Sequence, residues 1–169
     1  ALIAGGWGWG AYEHFVRLPA AENTARVAYA LDLVDRFDDT AAHRAYVDLA
    51  GDMKPWWDQI EDLQHRIRAA DDDARDGLIA ERDASLVAFV EARKLGPKID
   101  LLIDGFDLFT RCLAAAACDE EVVERAIAID VKRIWRTFRP WILQRRGTGE
   151  NGDRGYGRDL EDLYFRFVG

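Results

Sequence analysis

The chain has 169 residues, a length suited to one domain, and 49% of them are apolar, with 8 Phe, 6 Trp and 5 Tyr available to fill a core. Its 31 acidic against 23 basic residues leave a formal charge of −8. That excludes the net basic footprint of a general nucleic-acid binder, so no nucleic-acid partner is expected. Arg far outnumbers Lys, a bias that GC-rich bacterial genomes produce, so the number of arginines is not itself read as functional.

Residues 1–12, ALIAGGWGWGAY, carry no charge. As a helix they cover about 18 Å, short of the ~20 apolar residues that span a bilayer. The chain opens on Ala1 rather than Met, and the run reads as the last half of a membrane-spanning helix. Trp7, Trp9 and Tyr12 cluster where an aromatic belt sits, and Glu13, His14 and Arg17 follow as the chain enters water. Pro19 is expected to break the helix. The expected division is residues 1–18 as the end of a membrane-spanning or interfacial helix and residues 20–169 as a helical bundle domain. Gly6 and Gly10 make a GxxxG spacing, and Ala4 and Gly8 a second small pair, which lets helices approach closely in lipid. The expected membrane and helix-packing residues are therefore Ala4, Gly6, Trp7, Gly8, Trp9, Gly10 and Tyr12. A buried soluble helix competes poorly, because glycine is a weak helix former. Gly6-x-Gly8-x-x-Ala11 also fits a dinucleotide-binding turn with Asp32 or Asp35 downstream, but that fingerprint needs a preceding strand and βαβ alternation. An apolar run, Ala1–Ala4, precedes the turn, but no strand-like alternation follows it, and Trp7 and Trp9 are bulky for such a turn.

From Asn23 onward the apolar spacing is helical. Asn23 or Thr24 can cap a helix whose stripe is Val27, Leu31, Val34 and Phe37 or Asp38, and Asp38-Asp39-Thr40 marks a break. A short helix over 41–50 ends at Gly51. Pro55 suits a first turn, and Trp56, Ile60, Leu63 and Ile67 then form a stripe to about Ala70. Asp71-Asp72-Asp73 closes that helix or caps the next, which carries Leu78, Leu86, Phe89 and Val90. Gly96-Pro97 is a stop signal. Leu102, Phe106, Phe109 and Leu113 follow. Asp119 caps a helix with Glu120 and Glu121 in its first turn and Ile127, Val131, Ile134, Phe138 and Trp141 or Ile142 on one face. Pro140 is expected to kink or end it near Arg139. Residues 147–157 read as a loop, and Leu160, Leu163, Tyr164 and Phe167 as the face of a last helix. The expected fold class is all-α, an antiparallel helical bundle. Leu31, Val34, Phe89, Phe106, Phe109, Val131, Ile134 and Phe138 are its expected core.

The chemical constellations are sparse. Cys112 and Cys118 fall on one predicted helix, which holds their Cα atoms about 9 Å apart, so they are expected to be unbridged core residues in a reducing compartment. His14, His43 and His65 lack the Glu-x-x-His spacing of bundle di-iron sites. Ser85 is the one serine and lies within a predicted helix, away from any nucleophile motif. No catalytic residue, metal ligand or cofactor is expected. The most distinctive stretch is 132–146, KRIWRTFRPWILQRR. It reads either as an amphipathic helix with arginines on its wet face or as a contact for anionic lipid headgroups or an acidic partner. The contact residues would be Arg133, Trp135, Arg136, Arg139, Trp141, Arg145 and Arg146.

Arg26-Val27-Ala28 after the apolar segment, AFVEARKLGPKIDLLIDGF over 88–106, the Arg-Trp helix and YGRDLEDLYFRF over 156–167 occur in an order that resembles a family of uncharacterised bacterial proteins. These have an N-terminal transmembrane helix followed by a small helical domain. The resemblance runs across residues 1–167 and implies a membrane anchor and a bundle, but no catalytic residues. The expected function is a membrane-anchored helical accessory or interaction subunit of a larger membrane assembly, without catalytic activity of its own. Its partners would be membrane lipid and other membrane-protein subunits. The alternative is a membrane-bound ligand sensor or enzyme with an inter-helix pocket. Arg17, Arg26 and the cysteines point to the bacterial inner membrane with the bundle in the cytoplasm.

Overall fold

The computed structural model describes residues 18–147 and 153–169, and within them every regular element is a helix. These are α1 (Leu18–Asp38), α2 (Ala41–Asp52), α3 (Lys54–Gln59), α4 (Glu61–Ala69), α5 (Asp72–Ala92), α6 (Gly96–Ala114), α7 (Glu120–Gly147) and α8 (Arg158–Phe167). Short polar side chains set several boundaries. Thr40, Asp71 and Asp119 accept the amides of His43, Ala74 and Val122 at 3.2, 3.0 and 3.0 Å, satisfying donors that a helix start leaves orphaned. Among the described residues no helix is long and apolar enough to cross a membrane. The proposed spanning segment, with Ala4, Gly6, Trp7, Gly8, Trp9, Gly10 and Tyr12, lies outside the described residues.

One core joins the helices. Helix α2 packs along α6, while α7 meets α1, α5 and α8, and α8 also lies against α6. Phe106, Phe109, Val131, Ile134 and Phe138 are buried as the stripes predict. Polar contacts sit at the edges of this core. Lys98 on α6 donates to Asp52 on α2 at 2.6 Å, and the indole N–H of buried Trp56 donates to Ser85 Oγ at 3.1 Å, which gives the single serine a structural task. Gly105 is required where α2 crosses α6, because a Cβ there would collide with Ala42 Cβ and approach Phe37 Cε2 to 3.0 Å.

Several expectations are corrected. The expected caps Asn23 and Thr24 lie inside α1, and Thr24 Oγ1 instead donates back to Ala20 O at 2.9 Å. Pro19 is the second described residue of α1, and the helix it was expected to break lies outside the described residues. Leu31 is 52% exposed, because the fully buried positions of α1 are Ala30 and Leu33, while Val34 and Phe37 of the expected stripe pack against the core beside them. Val34 and Phe89 are partly buried. Trp56, Ile60 and Leu63 are buried as the stripe predicts, but the helix that carries them breaks at Ile60, which separates α3 from α4. Pro140 neither ends α7 nor stops its stripe: Phe138, Trp141 and Ile142 stay buried on either side. Burying three such side chains contributes roughly 1.5–3 kcal/mol each, against about 3 kcal/mol for a mid-helix proline.

The largest correction concerns the cysteines. Cys112 and Cys118 form a disulfide with Cα atoms 5.5 Å apart. The expected continuous helix is absent, since α6 stops at Ala114. Ala116 takes a left-handed φ of 51°, and the amides of Ala116 and Ala117 turn back to Leu113 O and Cys112 O at 3.1 and 3.0 Å. This Schellman-type reversal carries Cys118 over the last turn of α6. The clamped turn docks on α1: Arg26 Nη2 donates to Cys118 O at 3.2 Å and the Asp119 amide to Arg26 O at 3.3 Å.

Candidate functional site

The α7 stretch 132–146 does not present one mixed aromatic and basic face. Its helical period sends Trp135 and Trp141 into the core, at 3% and 7% exposure, and leaves most of the arginines outside. The expected contact residues consequently divide among three places. Arg133 leans toward α2, where its Nη1 donates to the Tyr46 hydroxyl at 2.9 Å. Arg145 and Arg146 gather with Trp141 around Tyr156. The Arg145 guanidinium lies 5.3 Å from the Tyr156 ring centroid and 5.9 Å from that of Trp141, while Arg146 Nε donates to Tyr156 O at 2.6 Å. The Tyr156 hydroxyl donates to Asp100 Oδ1 at 2.6 Å. Burial first, and then the Asp100 carboxylate, holds this phenol well above the ordinary tyrosine range. These contacts anchor the turn before α8. There Gly157 has a φ of +67° and lies so close to Ile142 that a Cβ would meet Cγ2 at 3.0 Å.

Trp135, Arg136 and Arg139 come together with Pro140 along a cleft of about 500 Å³ between α5, α7 and α8. Arg82 and Asp83 enter from α5, and Glu161, Tyr164 and Phe165 from α8. Both carboxylates are already matched. Arg82 Nη2 donates to Asp83 Oδ1 at 2.6 Å, and Arg146 Nη1 to Glu161 Oε2 at 2.7 Å, in a pair whose side chains are only 15% and 24% exposed. Arg136 and Arg139 are exposed and make no hydrogen bond or ion pair among the described residues. Beside them Phe165 leaves 60% of its surface in water, while Tyr164 packs on Trp135 with ring centroids 5.9 Å apart. The cleft therefore offers unpaired guanidinium groups and an exposed aromatic ring, a combination that receives carboxylates and apolar side chains together. A second hollow of about 470 Å³ continues from Asp83 and Pro140 to Glu91 and Gln144.

Arg82, Tyr164 and Phe165 were not identified from the sequence as contact residues. Phe165 carried a usable signal, since it is the aromatic residue of Tyr164-Phe165-Arg166-Phe167 that falls off the buried face of α8. Of the histidines, His43 lies 3.3 Å from Asp38 in an ion-pair geometry, His65 is exposed on α4, and His14 lies outside the described residues. Among the described residues no group of three or more His, Cys, Asp or Glu side chains could hold a metal ion. No family model matches the chain, and neither the curated proteins nor the solved structures yield a match.

Proposed function

We propose that the chain is a membrane-anchored helical accessory subunit that docks onto a larger membrane assembly and has no catalytic activity of its own. In this reading residues 1–18 end a membrane-spanning helix, as in the uncharacterised bacterial family the sequence resembles, and the rest is an antiparallel bundle that meets the partner. The carrying observation is the α5–α7–α8 cleft, where exposed Arg136 and Arg139 lack partners among the described residues and lie beside exposed Phe165. Arginine and aromatic side chains supply most of the anchoring energy at protein interfaces. An acidic partner segment bearing an apolar side chain is the complement. The start of α1 fits an anchor as well, because residues 20–25 are exposed and Arg26 then joins the helix to the bundle.

The compartment turns on the disulfide. The cytoplasmic expectation leaned on unbridged cysteines, which the Cys112–Cys118 bridge replaces. Disulfides persist in oxidising surroundings, so the proposed address is the bacterial inner membrane with the bundle on its oxidising side. The test of the function is a pull-down from native membranes in mild detergent. The full chain should retain a membrane-protein partner that the double variant Arg136→Glu/Arg139→Glu loses. Equal recovery by both would overturn the assignment.

A further inference from the structure

A separate concavity of about 160 Å³ opens between α2, α3 and α7, away from the cleft described above. Its floor is apolar and closely packed: Leu49, Met53, Ile134 and Phe138 are each at most 5% exposed. Trp57, 42% exposed, walls one side, and the small exposed Ala50 leaves the mouth open. The other end is polar. The Tyr46 hydroxyl donates to Asp130 Oδ1 at 2.7 Å and accepts from Arg133 Nη1 at 2.9 Å. Tyr46 thereby spends its proton and holds the guanidinium at the rim. The nearest approach of Arg133 to Asp130 is long, at 3.9 Å. The other guanidinium nitrogens of Arg133 and the half-buried Thr137 hydroxyl make no hydrogen bond among the described residues, while no carboxylate lines the hollow.

We propose that this hollow binds a small, mostly apolar carboxylate, with its ring or short chain on Met53, Ile134 and Phe138 and its carboxylate on Arg133 and Thr137. Size sets the class. A cavity of about 150 Å³ accepts a benzene-sized body, so the ligand carries one ring or a chain of similar bulk. Charge sets the head group: a guanidinium with donors to spare meets a carboxylate in its preferred fork geometry. A partner's Leu or Phe side chain would fill the floor but leave those donors unused. The proposal is independent of the docking reading, since it uses none of the residues of the α5–α7–α8 cleft.

The test titrates the full chain, isotopically labelled and held in detergent, with benzoate, following backbone amide chemical shifts. Saturable shifts should be confined to α2, α3 and α7. Benzyl alcohol, which keeps the ring and lacks the carboxylate, should bind about tenfold more weakly, and Arg133→Gln should weaken benzoate by a similar factor, as loss of a charge-assisted hydrogen bond predicts. Ala50→Trp, which fills the mouth from an exposed position, should abolish binding, and the smaller Ala50→Leu should weaken it in a chain whose helical spectrum is unchanged. The site is refuted by an absence of saturable shifts, or by full binding in both Ala50 variants. The carboxylate assignment is refuted if benzyl alcohol matches benzoate and Arg133→Gln changes nothing.

Discussion

Gly105 lies near the middle of α6, where an alanine would ordinarily stabilise the helix by about 1 kcal/mol. Here the added Cβ would strike Ala42 Cβ on α2 and come within 3.0 Å of Phe37 Cε2. Ala42 Cβ is fixed to the backbone, so no rotamer change can move it away, and relief requires α2 and α6 to separate. That separation would loosen buried contacts of Ala45, Leu49, Leu102 and Phe106 along the same seam. Overpacking of this kind costs about 1–3 kcal/mol. With steric cost at its upper end because both atoms are backbone-bound, Gly105→Ala should be destabilising by about 1–2 kcal/mol net of propensity. Tm should fall by roughly 2–8 °C for a chain of this size. Gly77→Ala is the matched control: it too lies within a helix, but nothing stands within 4 Å of its added Cβ, so stability should rise by about 0.5–1 kcal/mol. Urea unfolding followed by helical circular dichroism and by tryptophan fluorescence measures both. If Gly105→Ala gains stability in parallel with Gly77→Ala, the close α2–α6 approach is wrong.

Reduction of the Cys112–Cys118 bridge, whose ends are 6 residues apart, should lower stability by about 2 kcal/mol on loop-closure grounds, and thiol labelling of the unfolded, unreduced chain should find no free cysteine. Ala116→Gly relieves the left-handed φ of 51° and should stabilise by about 1 kcal/mol in the same unfolding assay; a loss would mean that the turn is not left-handed. Ser85→Ala leaves the buried Trp56 indole N–H without its acceptor and should cost about 1–3 kcal/mol. Tyr156 keeps its proton above pH 10 in the folded chain because burial and Asp100 oppose ionisation. Its raised folded pKa gives stability that is present below the unfolded value near 10 and is lost as pH rises beyond it. Burial and Asp130 also raise Tyr46, so absorbance at the phenolate band should show late ionisation that shrinks by one tyrosine in Tyr156→Phe, and an unchanged late phase in that variant would contradict the Asp100 contact.

The helical class and most of the core were legible because burial repeats at helical spacing in α6 and α7, where Phe106, Phe109, Val131, Ile134 and Phe138 dictate the inner face. Capping by Asp119 and the break at Thr40 were legible for an equally local reason, a short acceptor ahead of a helical stripe. The disulfide was not. Its turn uses Ala116 in the left-handed conformation that glycine ordinarily signals, so the sequence carries no mark that α6 stops before Cys118. The α7 arginines were visible as a group, but their division was not, because Arg133, Arg139 and Arg146 are sorted by Tyr46, by the α5–α7–α8 cleft and by Glu161, which are distant in sequence. Pro140 misled because its cost is local, while the burial of Trp141 and Ile142 is tertiary.

The most direct test of the docking account places a photo-crosslinking phenylalanine analogue at Phe165 and irradiates intact native membranes. Phe165 is exposed and lines the cleft with Arg136 and Arg139, so the account predicts a discrete adduct with a membrane-protein subunit. That adduct should vanish when Arg136→Glu and Arg139→Glu are added, while an analogue at exposed Val47 on α2 yields no such adduct. No adduct from Phe165, or an adduct indifferent to both charge reversals, would contradict it.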